Sequence, residues 1–350
     1  MNDFSICHVN LAGGFRGGER QTFLLMEELA SRGHKQRLIS KANSTLAANA
    51  KLIEGLEVIE SSLNGFDCRT YFKDAPLLHF HESRAFTAAL LFGINNTHKY
   101  LITRRVQRLP KKIFVNNFVY KNADAIITIS NNIGTSLNSF LNKDCYYQKI
   151  PDASSAFSFN EDTVKKIRSK AKDKFIIGHI GVSDDSHKGQ LQIFSLANKI
   201  RKHYPDIIFM LVGSGRDLKE FKHISRNSSN IIIEGQVENI GDYLKAFDLF
   251  IFPSRHEGLG SILLDALEYG LPILASNVGG IPEIIKDGIN GYLMEIDAID
   301  DYFEALIQLY LDKRLYTEIQ RKNIDLSNNY SVSKMTDAYI EIYEKIVQLK

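Results

Sequence analysis

Short, continuous apolar runs alternate along the chain with longer segments in which apolar residues return every three or four positions. The first kind suits strands buried on both faces, the second amphipathic helices. The run 4–11 (FSICHVNL) is apolar and β-prone and ends in the glycine-rich stretch 12–20. Over 18–32, Phe23, Leu24, Met26, Leu29 and Ala30 keep helical spacing until Gly33 stops it. Further strands are predicted at 36–40, 77–81, 100–103 and 125–130, with an apolar helix over 83–92. The stretch 144–160, Ser/Ala-rich after Pro151, reads as an exit strand and linker. A second series then begins, with strands at 175–182, 207–212, 231–234, 249–252 and 272–275. Its helices fall at 189–204, 218–225, 240–246 and 262–269, and amphipathic helices over 300–311 and 332–349 close the chain. Two successive strand–helix series of similar size predict an α/β protein. The expected form is two doubly wound, Rossmann-like domains facing each other across a cleft.

Composition narrows the class. With 350 residues, 44% of them hydrophobic, the chain can bury two cores. A net charge of +2 does not imply wholesale nucleic-acid binding. Cys7, Cys68 and Cys145 lie far apart and form no CxxC or Cys/His cluster, which points to a reducing compartment and no zinc site. No secretion signal is evident, and no apolar run approaches the roughly 20 residues that span a bilayer. The expectation is a cytoplasmic protein, soluble or peripheral on the inner face of the cytoplasmic membrane.

Loops at the C-terminal ends of parallel strands are where ligands bind, and three such loops carry chemistry. Gly13, Gly14, Gly17 and Gly18 give GGxxGG rather than GxGxxG, and no convincing acidic residue ends the second strand, so the dinucleotide fingerprint fails. Such a loop lets backbone N–H groups approach a phosphate or sugar, or is bent for packing alone. Lys188, in the first strand–helix turn of the second series, is placed to meet a phosphate as a point charge, although a lysine at a helix start is commonly solvated. Glu257 precedes a helix and Asp265 lies inside it among Ile262, Leu263, Leu264, Ala266 and Leu267. A carboxylate there is commonly a cap or a solvated group, but one surrounded by apolar residues needs defined donors. At about 1.5 Å per helical residue the two carboxylates lie roughly 12 Å apart at most. That suits two ends of one elongated ligand, not an acid–base pair on one atom.

These residues also carry a family likeness. Pro253-Ser254, Glu257-Gly258-x-Gly260, Asp265, Gly270-x-Pro272, the run from Val278 to Glu283, and Gly288-x-Asn290-Gly291 together resemble glycosyltransferase family 4. Lys188-Gly189, Gly213-x-Gly215, the glycine loop with Gly33-His34, and His79-Phe80-His81 extend the resemblance over nearly the whole chain. The loop and the Lys188 segment also resemble bacterial transferases of lipopolysaccharide core and surface glycans. The resemblance implies a retaining, GT-B-fold, metal-independent hexosyltransferase using a UDP-, GDP- or ADP-linked sugar and a glycan or glycolipid acceptor. It implies domains at 1–155 and 175–328, a linker at 156–174, and a helix over 329–350 packing back on the first domain. By the same resemblance Glu257 holds donor-sugar hydroxyls with Gly258, Leu259, Gly260 and Ser261 beside it, and Asp265 holds the ribose. Lys188 stabilises the diphosphate, Gly17 and Gly18 approach it, and Gly235, Gln236 and Val237 lie near the base. His81 faces the sugar or the attacking hydroxyl, while His79 is expected on the opposite side of the strand.

Two departures stand out. The family's second glutamate is here Asp265, and the usual Gly-Arg-Leu before the lysine is Gly181-Val182-Ser183, so one phosphate-binding cation is missing. His187 and Arg16 are the candidates to replace it. Between Glu82 and Asp124 there is no acidic residue, while Arg104, Arg105, Arg108, Lys111 and Lys112 recur among aromatic residues. This stretch reads as a basic solvated face, or as one meeting anionic lipid or a phosphorylated acceptor. A nucleotide-sugar 2-epimerase and a weakly catalytic glycan- or nucleotide-binding homologue are the alternative functions.

Overall fold

The protein is described by a computed structural model covering residues 5–62, 72, 75, 77–83, 85, 98–109, 114–141 and 147–348, with the backbone alone at 114–117. Its contacts divide it into two units, Met1–Ser155 with Tyr330–Lys350, and Ala156–Asn329. In the first unit the order is β1 (Ile6–Asn10), α1 (Gly17–Ser31), β2 (Gln36–Lys41), α2 (Thr45–Ala50), β3 (Leu56–Ser61) and β4 (Leu77–Phe80). There follow β5 (Lys99–Arg104), α3 (Phe114–Asn122), β6 (Ala125–Thr128), α4 (Asn131–Leu141) and β7 (Tyr147–Lys149). The seven strands pair in the order β3-β2-β1-β4-β5-β6-β7, all parallel, with Val9 opposite both Ile39 and Phe80. A parallel sheet covered by helices buries both faces, which is why β1 and β4 are buried at every position. The predicted helix over 83–92 falls largely outside the described residues.

Side-chain alternation sorts the first sheet into two cores. Cys7, Val9, Leu78, Phe80 and Ile102 belong to one, and Ile6, Leu77, Leu101 and Ile127 to the other. His8, His79 and His81 follow Ile6 and Leu77 by two or four residues, so they share that second face. His79 therefore lies on the same side as His81, not opposite it, with ring centroids 3.8 Å apart.

The second unit runs α5 (Glu161–Lys170), β8 (Phe175–Ile180), α6 (Asp185–Lys188), α7 (Gln190–Ile200), β9 (Ile207–Val212), α8 (Leu218–Ser225), β10 (Ile231–Gly235) and α9 (Ile240–Ala246). It continues with β11 (Leu249–Phe252), α10 (Ile262–Glu268), β12 (Ile273–Ser276), α11 (Ile281–Ile284), β13 (Tyr292–Met294), α12 (Ile299–Leu311) and α13 (Lys313–Ser327). Its six parallel strands take the order β10-β9-β8-β11-β12-β13, reversing direction of addition between β8 and β11. The stretch 156–174, expected as a linker, contains α5. Asn160 caps α5 by accepting from the Asp162 and Thr163 N–H groups, Val164 and Ile167 are buried, and Arg168 donates to Ala246 O at 2.7 Å. Those contacts make it part of the second unit.

After α13 the chain returns to the first unit as α14 (Val332–Gln348). Met335, Tyr339, Ile342, Tyr343 and Ile346 bury against Leu25 and Leu29 of α1 and against the second core of the sheet. Apolar spacing of three and four along α14 produces this face. Two of its tyrosines end in the histidine cluster. His79 Nδ1 meets Tyr343 Oη at 2.7 Å, His79 Nε2 meets Thr103 Oγ1 at 2.7 Å, and Thr103 Oγ1 meets Tyr339 Oη at 2.9 Å. His8 Nδ1 and His81 Nε2 pair at 3.0 Å. Among the described residues no helix is long and apolar enough to cross a membrane.

Two outcomes are expected. Tyr343→Phe deprives buried His79 Nδ1 of its partner and lowers unfolding free energy by about 1–3 kcal/mol, read as a lower urea midpoint at pH 7.5; an unmoved midpoint contradicts this. Burial also holds His8 down at about 3 and both His79 and His81 well below the ordinary histidine value. Below about pH 6.5 the unfolded histidines take up protons that the folded ones refuse. The stability they contribute is therefore complete above that pH and falls as pH drops toward the folded values. Urea midpoints measured between pH 8 and pH 5 should decline on the acid side, and a flat profile contradicts the buried neutral cluster.

Candidate functional site

Open parallel sheets bind ligands beyond the strand ends where strand order reverses. In the second unit that place lies between β8 and β11, and the loops leaving those two strands carry Lys188 and Glu257. Lys188 ends the short α6, and Gly189 after it adopts φ 63 before α7 begins. A Cβ at position 189 would stand 2.2 Å from the Pro253 carbonyl oxygen, so only glycine permits this approach. The same carbonyl accepts from Gln192 Nε2 at 3.0 Å, and Arg255 N donates to His187 O at 2.9 Å. These bonds lash the β8 loop to the end of β11.

The consequence is an ion pair. Lys188 Nζ bonds Glu257 Oε1, and the side chains are only 16% and 11% exposed. Ser254, fully buried, donates through Oγ to the same Oε1 at 2.9 Å. Lys188 Nζ also lies 4.9 Å from the Phe252 ring centroid, which favours a cation. Gly258 and Ser261 are half-buried, Leu259 is buried, and Gly260 turns with φ 82 into α10. Asp265 sits inside α10 and is buried.

Neighbouring strand ends complete this rim. Gly213 takes φ 136, and a Cβ there would stand 1.9 Å from Gly181 O. Gly213 N donates to Gly235 O at 2.7 Å, and Ser214 Oγ to Gln236 Oε1 at 2.7 Å. Gln236 is exposed and Val237 half-buried. Arg216 reaches Asp184 Oδ1 at 2.8 Å and is a rim cation the motif reading did not single out.

Two supporting side chains escaped the sequence reading. Ser254 was legible only as part of a motif, not as the partner of Glu257. His179 sits on β8 with Nδ1 at 3.0 Å from Ile251 O, and its buried Nε2 has no hydrogen-bond partner among the described residues. Burial lowers its pKa to about 4, with the Lys188 charge adding to the effect. One histidine within an apolar strand carries no signal of that role.

The first unit holds the remaining candidates. His81 follows β4 and is buried, and among the described residues its Nδ1 has no hydrogen-bond partner. Gly17 and Gly18 open α1, and Arg16 before them is exposed. Arg104 and Arg105 do not belong to a basic surface. Arg104 is buried, donating from Nη1 to Tyr120 Oη at 2.8 Å and from Nη2 to Arg108 O, while Arg105 pairs with buried Asp152. Tyr120 of α3 holds Arg104 inward, and Asp152 holds Arg105. Arg108 is exposed, and Lys111 and Lys112 lie outside the described residues.

His8, His79 and His81 offer ring nitrogens all within 4.8 Å of one another, a metal-like grouping to which His8 comes from a separate strand. Both nitrogens of His79 are already bonded, and His8 and His81 bond each other. Coordinating an ion would break that network, so the cluster fits a hydrogen-bonded core better than a metal centre.

Residues 160–325 match the model of the family described as glycosyl transferases group 1. A relative from Escherichia coli, UDP-Gal:alpha-D-GlcNAc-diphosphoundecaprenol alpha-1,3-galactosyltransferase, is 29% identical over 147 residues, 41% of this chain and 38% of that one. The matched stretches span 38%, 49% and 39% of the first curated relatives. A glycosyltransferase structure from Rickettsia africae superposes with TM-score 0.84 at 20% identity over the whole of both chains. An Anabaena protein crystallised with UDP-glucose gives 0.82 at 15% identity, covering 97% of this chain and 99% of that one. The chain thus has the GT-B fold, two Rossmann-like α/β domains, and its second unit carries the sequence pattern of glycosyl transferases group 1.

Proposed function

We propose that the chain is a retaining glycosyltransferase of family 4 type. It moves a hexose-type sugar from a nucleoside diphosphate donor to a hydroxyl of a glycan or glycolipid, in the synthesis of a bacterial lipopolysaccharide or surface polysaccharide. The observation that carries this reading is the Lys188–Glu257 pair at the strand-order reversal, inside the stretch that matches glycosyl transferases group 1. The E. coli relative's UDP-galactose donor and lipid-linked acceptor support the substrate classes.

In this reading Lys188 turns from Glu257 to the donor's diphosphate and stabilises the charge that grows on it as the sugar leaves. Glu257, still held by Ser254, then accepts hydrogen bonds from sugar hydroxyls. Buried Asp265 takes the ribose hydroxyls, and the backbone at Gly235–Val237 lines the base. The bond from the anomeric carbon to phosphate breaks while the acceptor oxygen bonds that carbon from the same face. The acceptor's proton passes to the departing phosphate oxygen, so configuration is retained. His81, neutral and with Nδ1 available, suits a sugar or acceptor hydroxyl. Lys188 supplies the positive charge at phosphate, so the reaction is proposed to need no metal.

A screen of UDP-, GDP- and ADP-sugars should identify a donor that is hydrolysed or transferred in the presence of EDTA. With that donor, Lys188→Ala lowers kcat by about 100- to 1000-fold, Glu257→Ala lowers it comparably, and proton NMR shows the product anomer matching the donor. Undiminished turnover in both variants, or an inverted anomer, contradicts the proposal. Conversion of the donor to its 2-epimer without acceptor would favour the epimerase reading instead.

A further inference from the structure

A cavity with room for about one water is lined by His179 of β8, Gly181, Gln190 at the start of α7, and apolar Leu211, Phe221 and Ile233. His179 and Gln190 are both buried. Among the described residues, His179 Nε2 and Gln190 Oε1 have no hydrogen-bond partner. Leaving polar atoms buried and unpaired is costly, so the two call for an explanation.

The opposite end of each side chain fixes its chemistry. Ile251 O can only accept, so His179 Nδ1 carries the proton and donates to it at 3.0 Å. Burial holds the ring neutral, with its pKa lowered to about 4, and Nε2 therefore presents a lone pair. Gln190 Nε2 likewise donates to Val182 O at 2.7 Å, which makes Oε1 the acceptor end of the amide. Two buried acceptors beside one small cavity suit a single molecule with two donors. The nearby charge of Lys188, which acts on His179, disfavours a cation, and an anion brings no donors. Water meets both conditions.

The same residues border Lys188. A Cβ at Gly181 would lie 3.2 Å from His179 Nε2 and 3.8 Å from Lys188 Cδ, so ring and lysine stem lie against one bare stretch of backbone. The His179 ring stacks on Phe252 with centroids 5.9 Å apart, and Lys188 Nζ lies 4.9 Å from the Phe252 centroid. Gln190 stands two residues past Lys188, and its bond to Val182 O ties the start of α7 to the segment before α6.

We propose that a water bound between His179 Nε2 and Gln190 Oε1 makes His179 a positioning residue for Lys188. The inference rests on the glycosyltransferase reading, in which Lys188 serves the donor's diphosphate, and it deepens that reading. The bridge joins the ring on β8 to the helix start that follows the lysine. Gly181 and the Phe252 face then set where the lysine stem lies and where its ammonium points.

The test compares full-length chains. His179→Asn keeps a donor for Ile251 O and loses the second acceptor, whereas His179→Gln places an amide oxygen near the position of Nε2. Crystal structures of wild type and His179→Gln should show one water on both acceptors and Lys188 on Glu257. In His179→Asn the bridge is lost and Lys188 leaves Glu257; Gln190→Met, which removes the other acceptor, should do the same and serves if His179→Asn does not fold. In calorimetry with UDP, GDP and ADP, His179→Asn should weaken binding by about fivefold and His179→Gln by about twofold at most. In chains already bearing Lys188→Ala, His179→Asn should cost no further affinity, because its effect passes through that lysine. The proposal is overturned if no water joins the two atoms in wild type or if Lys188 keeps its place in both acceptor-deleting variants. It is equally overturned if His179→Asn costs as much binding with Lys188→Ala as without it, the mark of a merely structural histidine. Should wild type bind none of the three nucleotides, the glycosyltransferase reading falls, and the crystal structures alone decide whether His179 positions Lys188.

Discussion

One close approach governs the second unit: the backbone of Gly189 against the carbonyl of Pro253. No side chain fits there, because the first atom of one would stand 2.2 Å from that oxygen. The contact fixes where the β8 loop lies on the end of β11, and Gln192 and the Arg255 N–H hold it from either side. Lys188 is the residue just before that glycine, and Glu257 lies four residues beyond that proline. The ion pair between them is thus a product of backbone packing at the strand-order reversal. The fold thus holds the two side chains together without a ligand.

The first unit is governed by burial of a different kind. Three histidines on one face of the sheet are kept neutral by burial: His8 and His81 bond each other, and His79 bonds Tyr343 of α14 and Thr103, which in turn bonds Tyr339. The last helix therefore does more than cover apolar surface. It supplies the hydroxyls that complete a polar network beneath the strand ends, where His81 and Arg105 emerge. A network of this sort is stabilising when satisfied and costly when a member is lost.

Most strands were legible because parallel strands buried on both faces read as continuous apolar runs, as at Phe175–Ile180 and Ile207–Val212. What escaped detection lies at edges and surfaces. β3 is an edge strand with exposed Glu57 and half-buried Glu60, so its apolar signal is diluted. In α13 only Ile319 and Asn323 are buried, and α5 buries only Val164 and Ile167, so both are too polar overall to stand out as core-facing segments. In the site, Lys188 and Glu257 stand in recognisable loops. The partners Ser254 and His179 act through contacts that spacing does not encode. Arg104 and Arg105 look like surface charge in a basic run and are interior, since their burial depends on Tyr120 and Asp152, distant in sequence. His79 shares a face with His81, against expectation, because residues two apart along a strand point to one side.

The decisive question is whether the Lys188–Glu257 pair opens onto a nucleoside diphosphate. Calorimetric titration of UDP, GDP and ADP into the wild-type chain and into Lys188→Ala addresses it most directly. At least one of the three should bind the wild type, with affinity reduced about tenfold or more in the variant. Failure of all three to bind, or equal affinity for both chains, would contradict the assignment.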